Sequence, residues 1–304
     1  MPGKARKKGY ILPHDLAGER QRLALMSDLL DPLHRSLLEK LGLRPGWRCL
    51  EIGCGNGSMS QWLAGRVAPN GRVVATDLDL RYVGDPHAPN LKVRQLDILK
   101  DEVEASVYDL VTARAVLHHV QSPKKAVQHM VAFLKPGGVL LSIEPDFLPA
   151  TVASPEPLRA FWQAWLQWSK SAGVDYFVGS RMPALLSATG LDHVGAEGTT
   201  ALYRGKSPWA EYWLETIKEL RPRLIESGYV TAPLLSRFKR LYSDPRIWTS
   251  AITFVASWGT NPRAEQRSGD QPQRKTASTS LLSKSGRPRP PDACSSVPSK
   301  KALD

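Results

Sequence analysis

Between residues 45 and 145, short apolar runs alternate with stretches whose apolar residues recur every three or four positions. The runs at 48–52, 71–76, 91–96, 107–112 and 139–143 are short, aliphatic and bounded by Gly, Asp or Pro, which predicts strands buried on both faces. Residues 58–67 and 122–134 carry helical spacing between them. Strands alternating with helices predict an α/β fold with a mainly parallel sheet covered by helices on both faces. Ahead of it, Leu16, Leu23, Leu29, Leu30, Leu37, Leu38 and Leu41 predict helices over 15–42, with a break and restart at Asp31-Pro32.

After Glu144 the rhythm changes. Helices are expected over 157–171, 182–189, 207–226 and 232–242, and strands over 191–203 and 247–258. The expected whole is a Rossmann-like sheet of about seven strands, the last antiparallel and at the sheet edge, with a helical cap. The cap draws on 10–44 and on insertions within 151–245, inside one domain spanning 10–260.

Charge and composition sharpen the ends more than the middle. The chain has 304 residues and a formal net charge of +12. Residues 1–10 contribute +4 and residues 261–304 contribute +5, leaving +3 for the body. Residues 1–9 and the Ser- and Pro-rich 261–304 lack the apolar residues that would offset ordering entropy, so both are expected to be disordered basic tails. Such tails are most simply solvated, with an electrostatic nucleic-acid contact as the weaker alternative. No apolar run is long enough to span a bilayer, and the basic start lacks the apolar stretch of a secretion signal. Cys49, Cys54 and Cys294 show neither a disulfide framework nor metal-type spacing, so a cytoplasmic protein is expected.

The candidate chemistry sits at Leu50-Glu51-Ile52-Gly53-Cys54-Gly55-Asn56-Gly57, across a strand-to-helix turn. Glycines there let backbone N–H groups approach a ligand at a positive helix N-terminus. The spacing is G-x-G-x-G, with Ser58 where a dinucleotide turn would place its third glycine, and no Gly-Lys-Ser/Thr follows to make a P-loop. Glu51 would repel a pyrophosphate and suits a ligand carrying an ammonium group.

With these residues the chain resembles the class I S-adenosylmethionine-dependent methyltransferases over most of 45–145. LEIGCGNG is similar to their first motif, and Asp77 ends VVATD where the family places its ribose-binding acid. Asp97 and Ile98 in VRQLDIL match the adenine contacts, YDLVTARAVLHHV the segment closing the site, and LKPGGVLLSIEPD the turn and strand near the substrate. The segment LDLRYVGDPHAPN after Asp77 is shorter than usual, so a single helical turn is expected there. The leading Tyr10…Glu19–Leu23 segment resembles the cap helix of the small-molecule branch related to the quinone-biosynthesis enzymes.

The resemblance implies S-adenosylmethionine as cofactor, held by Glu51, Gly53, Cys54, Gly55, Gly57, Asp77, Leu78, Asp97 and Ile98, with Tyr10 as a lid. Arg114 would pair with the cofactor carboxylate, orient an acidic acceptor or form a structural ion pair. His118, His119 and His14 are the candidate bases, each with packing, capping or solvation as its plainer role. Glu144, Trp165, Trp209 and Trp213 are candidate substrate contacts, although aromatic stripes such as Phe161, Trp165 and Trp168 more often build a core. No metal is expected. The implied reaction is methyl transfer to oxygen, nitrogen or carbon of a small, secondary-metabolite or quinone-like acceptor, and a homodimer is left open. An RNA or protein methyltransferase using the basic ends, a non-catalytic cofactor-fold protein, and a cofactor-bound enzyme with other chemistry are the alternatives.

Overall fold

The computed structural model describes residues 18–101 and 103–263. Tyr10, His14 and nearly all of both basic ends lie outside these residues. Helix α1 (Glu19–Lys40) leads into β1 (Arg48–Ile52), α2 (Ser58–Val67), β2 (Arg72–Asp77), β3 (Leu91–Gln95), β4 (Tyr108–Arg114), α3 (Pro123–Phe133) and β5 (Leu134–Asp146). The second half comprises α4 (Leu148–Thr151), α5 (Glu156–Ser171), α6 (Val178–Ser187), β6 (Asp192–Arg204), α7 (Pro208–Glu226), α8 (Ala232–Tyr242) and β7 (Trp248–Thr260). The seven strands form one sheet in the order β3-β2-β1-β4-β5-β7-β6. β7 runs antiparallel to both of its neighbours, and the other strands run the same way.

Strand periodicity divides the interior into two cores. Leu50, Ile52, Val111, Ala113 and Leu140 face α3 and α6, whereas Cys49, Leu110, Leu141 and Ile143 face the other way, toward α1, α2 and the aromatic helices. On that second side Phe161, Trp162, Trp165, Phe238 and Tyr242 are buried and ring-packed, with Phe161 and Phe238 centroids 4.0 Å apart. These rings join α5, α7 and α8 into the cap.

Four expectations are corrected. The predicted break at Asp31-Pro32 is absent: α1 runs unbroken with Pro32 inside it. An interior proline costs about 3 kcal/mol, and burial of Leu30, His34, Leu37 and Leu38 along one face offsets that cost. The predicted turn at Lys135–Gly138 lies within β5, where the register against β4 jumps from Tyr108↔Leu134 to Leu110↔Val139. The last strand, expected at the sheet edge, lies between β5 and β6. The reason is burial: β7 alternates buried positions along its length, while β6 is largely exposed and takes the edge. Residues 78–90 form turns and no helix, consistent with Gly84, Pro86 and Pro89 in so short a segment. Just past β7, Asn261 exchanges backbone hydrogen bonds with Gly137 and Gly138.

Candidate active site

A cavity of about 440 Å³ opens beyond the carboxyl ends of β1, β2, β4 and β5, within the range usual for small-molecule sites. One wall is the turn after β1. Gly53 (φ +71°) could not accept a side chain, because a Cβ there would lie 2.2 Å from Val116. Gly55 (φ +57°) and Gly57 (φ +81°) also adopt the left-handed conformation, and Gly57 directly precedes α2. Gly53, Cys54, Gly55 and Asn56 line the cavity, while Gly57 does not.

Asp77 ends β2 on the cavity wall, and its Oδ2 accepts the Gly55 N–H at 2.8 Å. The acid therefore orders the glycine turn as well as facing the cavity. Leu78, Asp97 and Ile98 continue this wall. Lys100 donates to Asp97 Oδ2 at 2.7 Å and, with the Leu99 N–H, holds the Asp97 carboxyl below its ordinary pKa. Burial pushes the Cys54 thiol up, so it serves as an apolar wall atom.

Glu51 departs from its expected place at the ligand. Its side chain points to the α1/α2 side, is 3% exposed, accepts the Ser60 hydroxyl and does not line the cavity. Burial, opposed by the Ser60 hydrogen bond, raises its pKa to about 7 from an ordinary 4.5. Between those values the folded chain holds a proton that the unfolded chain has released, so stability falls as pH rises through this window. The loss is on the order of 3 kcal/mol and persists above pH 7. Glu51→Gln is expected to flatten this slope, which urea unfolding of both proteins at pH 5 and pH 8 would show. Parallel slopes in the two proteins would refute the assignment.

The floor of this side draws on α1 residues that the sequence did not mark, while an ion pair is one of the roles expected for Arg114. Asp31 of α1 pairs with Arg114 at 2.9 Å and with Arg35 at 3.0 Å. Next to it, His34 Nε2 lies 2.8 Å from the Thr112 hydroxyl. Burial, reinforced by Arg114 and Arg35, holds His34 well below the usual histidine pKa. Ser27 of α1 donates to Asn56 Oδ1 at 3.0 Å, tying the helix to the glycine turn. Arg22, 1% exposed, lines the cavity and holds Glu19 through two hydrogen bonds of 2.7 Å. The available signal was a polar residue on the buried stripe of a helix: Asp31 and His34 fall on the face of Leu30, Leu37 and Leu38.

The opposite wall is aromatic, formed by Phe147, Tyr176, Trp209, Tyr212, Trp213 and Phe254. Trp209 and Trp213 line the cavity, but Trp165 does not. It is fully buried against Phe161, Trp168 and Trp213, and its role is core packing. Glu144 is likewise displaced from its expected substrate contact: it is fully buried, off the cavity wall, and bonded to His118. His118 and His119 both line the cavity, as does Arg114. Among the described residues there is no group of three His, Cys, Asp or Glu arranged to hold a metal, and no helix long and apolar enough to cross a membrane.

Comparison with known proteins identifies the family. A family model described as a methyltransferase domain matches residues 18–195, more than half of the chain. The ubiquinone/menaquinone biosynthesis C-methyltransferase UbiE of Ectopseudomonas mendocina is 35% identical over 133 residues, covering 40% of this chain and 52% of that protein. The ubiquinone biosynthesis O-methyltransferase of Hahella chejuensis is 27% identical over 183 residues, covering 56% and 74%. The chain spans about half the length of the curated relatives it matches. The crystal structure of the YcgJ protein from Bacillus subtilis shares the fold, with a TM-score of 0.51 at 17% identity over 80% of this chain and 99% of that one. A match that runs from α1 through the parallel strands into β6 establishes that the chain belongs to the methyltransferase domain family.

Proposed function

We propose that this chain transfers the methyl group of S-adenosylmethionine to a small organic acceptor by in-line displacement. The observation that carries this reading is one cavity with two unlike walls, a glycine and acid cradle on one side and an aromatic chamber on the other.

The residues present fit the cofactor. Asp77 offers carboxylate oxygens to a pair of ribose hydroxyls, and Leu78, 56% exposed, with Ile98 offers apolar surface to a flat ring. Arg114, which lines the same cavity, suits the carboxylate of an amino acid. The bound sulfonium supplies an electrophilic methyl group. The protein's task is then to orient the acceptor and exclude water, and positioning of this kind is worth roughly 7–11 kcal/mol in favourable cases. The aromatic wall suits a flat, apolar acceptor of quinone-like character. Buried free thiols at Cys49 and Cys54 suit a reducing cytoplasm.

Thermal unfolding tests the cofactor assignment directly. S-adenosylmethionine and S-adenosylhomocysteine at about 100 times their dissociation constants are expected to stabilise the protein by about 2.7 kcal/mol. NAD and ATP at the same concentrations are expected to do nothing. Stabilisation by a dinucleotide and not by S-adenosylhomocysteine would reverse the assignment.

A further inference from the structure

The cavity holds a second arrangement that cofactor binding does not use. Glu144, near the end of β5, is 0% exposed and directs its carboxylate at the 3-10 turn Leu117–His119. Oε1 accepts the N–H groups of Val116 at 3.1 Å and Leu117 at 2.9 Å. Oε2 accepts the His118 N–H at 3.2 Å and lies 3.0 Å from the same residue's Nδ1. Three backbone donors thus fix the carboxylate before it meets the imidazole.

A carboxylate can only accept, so Nδ1 carries the hydrogen, and in the neutral ring the lone pair is then on Nε2. The ring is then fixed on its faces. Tyr176 stacks at 5.3 Å, and the His119 ring lies 3.8 Å away. Glu144, His119 and Tyr176 are the titratable groups shown in contact with it. The His118 ring lines the cavity, and Nε2 has no hydrogen-bond partner among the described residues. Next to it, Phe147 packs on Tyr176 with centroids 4.3 Å apart, continuing the flat apolar wall. A basic nitrogen of fixed tautomer therefore borders an aromatic chamber.

We infer that His118 Nε2 is the catalytic base, that Glu144 is its positioning residue, and that the acceptor presents its nucleophile as a hydroxyl on an aromatic ring. This rests on the methyl-transfer reading given above and deepens it. The hydroxyl proton passes to Nε2 as the oxygen attacks the methyl carbon. The O–CH₃ bond forms while the S–CH₃ bond breaks, and the bonding pair stays on sulfur. The products are a methyl ether and S-adenosylhomocysteine, and the imidazolium returns its proton to water. A neutral amine brings its own lone pair and would gain nothing from such a base.

The test uses the full chain, methyl-labelled S-adenosylmethionine and three probes at pH 8: catechol, 4-nitrocatechol and aniline, an amine that is neutral at this pH. The intact enzyme is expected to label both phenols. His118→Gln is expected to lower kcat on catechol by about 10²–10⁴-fold with little change in KM. On 4-nitrocatechol, which ionises without help, the loss is expected to stay under about ten-fold. Glu144→Gln is expected to give the same pattern, weaker, with S-adenosylhomocysteine binding retained. Should Glu144→Gln fail to fold, His118→Gln on the cavity wall still decides. Equal losses on the two phenols would remove His118 as the base. Labelling of aniline alone, or of no probe by a protein that binds S-adenosylmethionine, would overturn the hydroxyl assignment. Failure to bind S-adenosylmethionine at all would instead overturn the methyl-transfer reading beneath it.

Discussion

Replacing Asp77 with alanine is expected to weaken S-adenosylhomocysteine binding by about 10²–10⁴-fold while leaving the fold intact. The carboxylate stands on the cavity wall at the end of β2, where it can accept from two neighbouring hydroxyls. Hydrogen bonds to a charged group are worth about 1.5–3 kcal/mol each, so two give about 3–6 kcal/mol. The same side chain accepts the Gly55 N–H, so alanine also loosens the cradle itself. Asp77→Asn keeps one acceptor oxygen and should fall between the two. Titration calorimetry with circular dichroism as the fold control would decide the matter. An affinity for Asp77→Ala within about three-fold of the parent would show that Asp77 does not hold the ligand.

The second large effect concerns stability. Asp31→Ala is expected to cost about 3 kcal/mol, the lower end of the range for breaking a buried ion pair. Asp31 and Arg114 side chains are 8% and 11% exposed, so removing the acid leaves a guanidinium largely shut off from water. Burial already pulls the Arg114 pKa down, and Asp31 is the first of the groups that hold it up. The lower end applies because Arg114 borders the cavity, from which water can reach it. Arg114→Met in the Asp31→Ala background is expected to recover most of the loss, since no uncompensated charge then remains. Urea unfolding of the two single variants and the double variant closes the cycle. Additive losses would show that the pair is not coupled.

The strands and the cradle were legible because both depend on local pattern. Residues 48–52 read as a strand from their apolar run alone, and the turn after them from glycines that adopt positive φ. The place of Asp77 and Asp97 on the cavity wall was legible because each falls at or just past a strand end, where the topology of a parallel sheet directs ligands. What escaped depends on contacts distant in sequence. Pro32 reads as a break, and only packing of α1 on the sheet and on α7 makes it tolerable. Glu144 reads as a cavity residue, but its strand alternates on the face of Leu140 and turns it toward His118. Trp165 and Trp213 look alike in sequence, yet the crossing of α5 and α7 buries the first and leaves the second on the cavity wall. Glu51 reads as a ligand contact, while strand parity sends it behind the wall to Ser60.

Methyl transfer to a small molecule can be decided by one labelling experiment. Purified protein, full length and truncated after Arg263, would be incubated with methyl-labelled S-adenosylmethionine and a size-fractionated cell extract. Label is expected in the small-molecule fraction with both proteins, and its loss is expected with Asp77→Ala. Label in RNA or protein that disappears with the basic tail would contradict it, as would an intact, cofactor-binding protein that labels no fraction.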